Sequence, residues 1–210
     1  MTGRGGVSLC RVVQASERRG ARLRFSSVCG TICFNQSKGG VSIRNRYIPP
    51  EDLAKIRARL TGADALLTDV LLATGFRLDD VMHVRVHQLR GSFVTLCERK
   101  TGHMRTVAVD EETRSRVAAA TYRRHPWAYA FPALRAGGRR KMHRTTYWRH
   151  FEAAVVACGF KGKGYTPHSL RKCYAVRRLC ETGSLSAVQA DLGHTKPEIT
   201  AIYAFSDRWL

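Results

Sequence analysis

The sequence predicts a mostly α-helical domain with a small antiparallel β-sheet, an α+β arrangement. From Ile48 onward, helix-start signals recur, each followed by apolar residues at helical spacing. Between Ser92 and Val109 the period changes to alternation on both sides of a glycine-containing turn, which reads as a hairpin. Hydrophobic residues make up 44 % and charged residues 25 % of the chain, enough apolar material for such a domain to bury a core.

Residues 1–47 read as a basic, poorly patterned N-terminal arm, rich in Gly, Ser and Arg, with one weak hairpin signal around Val28 to Phe34. The domain is expected over 48–210. Pro49-Pro50-Glu51-Asp52 starts a helix, because prolines suit its first turn and acids suit its positive end. Leu53, Ile56 and Leu60 continue it. Ala63 to Thr74 reads as a more buried helix, ended by Gly75, with a third opening at about Arg77 and carrying Asp79 and Asp80 in its first turn. Ser92–Lys100 and Met104–Val109 form the hairpin, with Lys100 at its tip. An amphipathic helix follows over Asp110 to about Arg124, then a turn-rich connector, then a helix from Thr145 to Cys158 carrying Trp148, Phe151, Val155 and Val156. A glycine-rich basic loop leads to a helix at Pro167. Asp191-Leu192-Gly193-His194 closes a shorter helix, and Tyr203 lies on a terminal one with Ile199, Ile202 and Phe205.

Charge narrows the function. Lys and Arg number 36 against 16 Asp and Glu, a formal net charge of +20. A field of that sign suits a polyanion, nucleic acid first, with a ribosome-type structural protein or a membrane-surface binder as the alternatives. The N-terminus lacks the apolar run of a signal peptide, and the most apolar stretch, ALLTDVLLATGF, is too short to span a bilayer and is broken by Asp69. The seven cysteines are irregularly spaced, as expected of buried thiols in a reducing, intracellular compartment. His83 and His87 stand four apart and could pair on a metal, but neither a following glutamate nor a third ligand accompanies them, so no metal is expected.

The remaining motifs gather cations. His168 and Arg171 stand one turn apart at a helix start, where backbone N–H groups and a guanidinium fork suit a phosphate. Arg77 sits at a corner between helices, and Lys100 on a hairpin tip could deliver a proton. Arg139, Arg140 and Lys141, with Lys161 and Lys163, form basic loops suited to a nucleic-acid backbone. Each motif alone has a structural explanation: a capping pair, a solvated lysine, a core tyrosine.

In order they are TGFR with an acid three on, KTG in a hairpin, HSLR, LGH, and a tyrosine nine residues later. This series resembles the catalytic domain of the tyrosine recombinases, the phage-integrase family, over about residues 48 to 207. The resemblance implies that family's fold, with the lysine hairpin in its small sheet. It also implies a site-specific recombinase that cleaves and rejoins double-stranded DNA through a 3′-phosphotyrosyl link, without cofactor or metal. By position, Arg77 and Arg171 are similar to the arginines that hold the scissile phosphate, and Lys100 to the lysine that protonates the leaving 5′ oxygen. His168 matches the acid/base histidine, His194 the residue that hydrogen-bonds the phosphate, and Tyr203 the nucleophile. Asp80 matches the acid that supports the arginine and histidine. A homotetramer on two DNA sites is implied, with an accessory DNA-bending protein as a further partner. A type IB topoisomerase or telomere resolvase shares this chemistry, and a non-catalytic DNA-binding derivative is the third alternative. The arm is too short and unpatterned to be the helical clamp domain usual in the family.

Overall fold

The computed structural model describes residues 45–134 and 139–193. Most of the arm, the hairpin signal at 28–34, His194 and the segment with Tyr203 lie outside the described residues.

Helix α1 (Pro50–Arg59) places Pro50 in its first turn and Glu51 and Asp52 at its N-terminal end. It packs on α6 (Arg144–Ala157). Helix α2 (Gly62–Thr74) is the central element, with Leu66, Leu67, Val70, Leu71 and Ala73 all buried. It packs against α5 (Glu111–Thr121), α6 and α7 (Ser169–Thr182). Two buried hydroxyls lock part of that packing: Tyr147 and Thr68 share a hydrogen bond at 2.8 Å. Gly75 ends α2 in the left-handed conformation at φ 62°, turning the chain into α3 (Leu78–Val81).

Helix α4 (Val86–Leu89) was not anticipated, because one turn is too short to show a period. With α3 ending at Val81, His83 lies in the turn after it and His87 on α4, and their imidazoles meet the carbonyls of Asp79 and Pro126. They do not form a helical pair. Strands β1 (Phe93–Cys97) and β2 (Met104–Ala108) pair antiparallel, with Val94 opposite Val107 and Leu96 opposite Arg105. The expected hairpin is therefore present, and Lys100 lies in the turn beyond it. Asp110 caps α5 by accepting from the Thr113 N–H at 2.7 Å.

On α6 the buried face is Tyr147, Phe151, Ala154 and Val155. Of the four large apolar residues noted on this helix in the sequence, Phe151 and Val155 are buried, whereas Trp148 and Val156 are 37 % and 47 % exposed. Adjacent helix positions differ by about 100° around the axis, and aromatics at both 147 and 148 leave the period ambiguous. The connector folds back on itself, bridging Pro132 to Lys141. The glycine-rich loop before α7 is tied to α1, since Lys163 and the Tyr165 hydroxyl both donate to Asp52 at 2.8 Å. Helix α8 (Leu185–Leu192) starts at Ser184, whose hydroxyl accepts from the Ala187 N–H, and ends at Gly193 in the left-handed conformation. No helix among the described residues is long and apolar enough to cross a membrane.

Candidate active site

Arg77 is the N-cap residue of α3 and is about one-quarter exposed. Arg171 lies in the first turn of α7 and is 3 % exposed. They come from distant parts of the chain and meet at one carboxylate that the motif reading passed over. Glu98, at the inner root of the hairpin, is fully buried. It accepts hydrogen bonds from Arg77 Nη1, from Arg105 Nη1 at 2.9 Å and from Thr101 Oγ1 at 2.9 Å. Arg171 Nη1 stands 4.0 Å from Oε1, the oxygen that Arg105 binds. Burial alone would push this carboxyl up, but the hydrogen bonds from Arg105, Arg77 and Thr101 outweigh it and hold the pKa at about 2.

Arg171 is also a structural residue. Its guanidinium donates to the Gly75 carbonyl at 2.6 Å and to the Leu192 carbonyl. One side chain thus joins the end of α2 to the end of α8. Arg105 does similar work from β2: its guanidinium lies 4.5 Å over the Phe76 ring and reaches the Thr74 carbonyl at 3.5 Å. Gly193 packs against the same pair, since a Cβ there would fall 3.2 Å from Arg105 Cδ and 3.7 Å from Glu98 Oε1. His194 follows it in sequence.

His168 is the N-cap residue of α7, with Arg171 one turn on. Burial, then the charges of Arg171, Arg77 and Lys172, push its pKa down to about 4, so the imidazole is neutral near pH 7. Asp80 is buried, and its Oδ1 accepts from the Arg99 N–H at 3.0 Å, next to Lys100. The hydrogen-bonded carboxylate partner of Arg77 is Glu98, while Asp80, the acid the resemblance matched to a supporting role, acts on Arg77 through its charge. The cause is geometric. In the first turn of α3, Asp80 faces the hairpin turn, whereas Glu98 points inward beneath it. Burial pushes the Asp80 carboxyl up, despite the Arg99 N–H.

Lys100 is exposed, and its neighbour Thr101 bonds Glu98, so the root of its loop is fastened to the arginine cluster. The basic loops behave differently from one another. Arg139, Arg140, Lys161 and Lys163 are all exposed, but Lys163 is also paired with Asp52 and packs over the Phe160 ring at 4.3 Å.

A signal for the two missed residues was present. Val94, Leu96 and Glu98 share one phase of β1 and its continuation, while Arg105 shares the phase of Val107. A charged residue in the buried phase of each strand is the pattern of an internal ion pair.

A largely helical domain with a cation-lined locus beside a hairpin defines a class, and comparison with known proteins gives the family. The sequence profile described as the phage integrase family matches residues 47–208, and the chain belongs to that family. It is 25 % identical over 158 residues to the integrase of Escherichia phage P2, covering 75 % of this chain and 42 % of that protein. Against the tyrosine recombinase XerD of Shewanella oneidensis it is 28 % identical over 149 residues, covering 67 % and 48 %. The chain thus spans about half the length of these relatives. Among solved structures, the XerA recombinase matches with TM-score 0.64 at 22 % identity, over 76 % of this chain and 60 % of that one. A lambda integrase tetramer bound to a Holliday junction matches with TM-score 0.65 at 17 % identity, over 83 % and 52 %. The fold is that of tyrosine recombinase catalytic domains.

Proposed function

We propose that this chain carries out site-specific DNA recombination, cleaving and rejoining duplex strands through a 3′-phosphotyrosyl intermediate. The observation that carries this reading is the convergence of Arg77 and Arg171 on a single carboxylate, a locus already built to hold negative charge. A scissile phosphate beside it would meet two guanidiniums that stabilise the charge developing on the pentacoordinate phosphorus.

Tyr203 is the proposed nucleophile. Its oxygen bonds to phosphorus, the bond from phosphorus to the 5′ oxygen breaks, and Lys100 supplies the proton to that leaving oxygen. The neutral imidazole of His168 suits acceptance of the tyrosine proton, a contribution of roughly 10²- to 10⁴-fold for such a group. His194 hydrogen-bonds the phosphate. Attack by a second 5′-hydroxyl on the phosphotyrosyl link restores the DNA, so the bond energy is conserved and no cofactor is required. Arg139, Arg140, Lys141, Lys161 and Lys163 are the proposed backbone contacts. The assembly proposed is a homotetramer on two DNA sites inside the cell, with an accessory DNA-bending protein where the sites must be brought together.

The test is covalent capture. The protein and its Tyr203→Phe variant are incubated with nicked fragments of the native genomic neighbourhood, and SDS-resistant adducts are sought. An adduct with the wild type alone supports the reading and, once sequenced, gives the site. An adduct that survives in Tyr203→Phe removes Tyr203 as nucleophile, and binding with no adduct in either protein removes the recombinase reading for this chain.

A further inference from the structure

We propose that Glu98 is a positioning residue for strand cleavage, its buried carboxylate fixing the arginines that hold the phosphate and tying them to the hairpin that carries Lys100. This rests on the recombinase reading given above.

The argument begins with placement. Glu98 lies where four motif segments meet. From TGFR it receives Arg77; from KTG, the Thr101 hydroxyl; from HSLR, Arg171 stands 4.0 Å away; and beside LGH, Gly193 packs on it. Arg105 closes the set by binding Glu98 on one side and the Thr74 carbonyl on the other. Three guanidiniums crowded into one buried place repel each other unless a carboxylate lies between them. A carboxylate fully removed from water is stable only when charge-paired and hydrogen-bonded, and Glu98 has both kinds of partner. The carboxylate therefore sets where the Arg77 and Arg105 forks point, whereas Arg171 is aimed by the Gly75 and Leu192 carbonyls and feels Glu98 through charge at 4.0 Å.

Its location argues against a placeholder displaced by DNA. Arg105 is 6 % exposed and holds Glu98 from the side of β2, and Thr101 holds it from the turn, so the carboxylate would remain when a phosphate reaches Arg77. One negative charge then offsets one of the guanidiniums, leaving net positive charge for the phosphate and its transition state. Thr101 adjoins Lys100, so the same carboxylate governs where the hairpin turn stands relative to the arginines.

Two measurements test this. The first compares noncovalent DNA affinity with the single-turnover cleavage rate on a nicked site. Glu98→Gln keeps the size of the side chain and removes its charge; it should lower cleavage by about 10²-fold, the cost of misplacing reacting groups by roughly an ångström. Affinity should hold or rise, since a negative charge has gone. Tyr147→Phe, remote from the cluster, serves as a comparison for loss of stability without loss of alignment. Equal loss of affinity and cleavage, or cleavage at the wild-type rate, would overturn the proposal. Where Glu98→Gln does not fold, the double variant Glu98→Gln/Arg105→Met removes both charges of the buried pair and is expected to bind DNA but cleave poorly; wild-type cleavage by it would also overturn the proposal.

The second measurement needs no DNA. Guanidinium proton exchange, followed by nitrogen-edited NMR, should be slow for Arg77 and Arg105 in the wild type and fast in the variant. Unchanged exchange overturns the positioning role even in a protein that never forms an adduct. If the wild type forms no adduct yet exchange quickens in the variant, the recombinase reading has failed while the arrangement around Glu98 stands.

Discussion

His168 carries a measurable signature at the scale of a single residue. Its folded pKa is about 4 against an ordinary 6.5, so the folded chain resists a proton that the unfolded chain accepts. Between those values the unfolded state binds more protons, and stability rises with pH. Acidification from pH 6.5 toward 4 should therefore destabilise the protein, and His168→Gln should flatten that part of the curve in denaturant unfolding. Glu98 adds a second loss at lower pH. Its carboxyl is held at about 2 instead of 4.5, so its contribution is complete above pH 4.5 and disappears as pH falls toward 2. The two residues also differ in how legible they were. His168 belongs to a spaced motif, and a motif can be read from identity and interval alone. Glu98 belongs to none. Its importance comes from partners on three other segments, and only its place in the buried phase of β1 hinted at them.

At the scale of an element, Gly75 decides how α2 ends. A Cβ there would lie 2.3 Å from Tyr174 Cδ1, and the backbone φ of 62° already disfavours a side chain. Gly75→Ala should thus cost about 2 to 5 kcal/mol from strain and overpacking together, seen as a lowered melting temperature. Since the Gly75 carbonyl accepts from Arg171, shifting this turn also displaces a guanidinium. The longer helices were legible: α1, α2 and α6 begin and end close to their sequence signals, α5 begins at its acids, α7 begins near Pro167 and α8 ends at Gly193. The four-residue α4 was not, because a single turn shows no periodicity, and the rotation of α6 was ambiguous because tyrosine and tryptophan occupy neighbouring positions.

Across the whole molecule, the recombinase proposal implies that the excess of cations governs DNA affinity. Binding is expected to weaken steeply with salt, the logarithm of the association constant falling in proportion to the number of phosphates neutralised. Loop residues should not contribute equally. Lys161→Ala should reduce the salt slope by about one contact's worth, whereas Lys163→Ala should change it less and lower stability, because Lys163 already serves Asp52. Titrations at several salt concentrations separate the two. The interlocking of the motifs bears also on engineering. Arg105 reaches the end of α2, Arg171 grips the ends of both α2 and α8, and Gly193 fits against the hairpin. A graft of a relative's hairpin alone would arrive without the neighbours it was shaped for. Chimeras with altered hairpins should work only when the α2 terminus and the LGH turn travel with the graft, so these distant stretches of sequence constitute one exchangeable part.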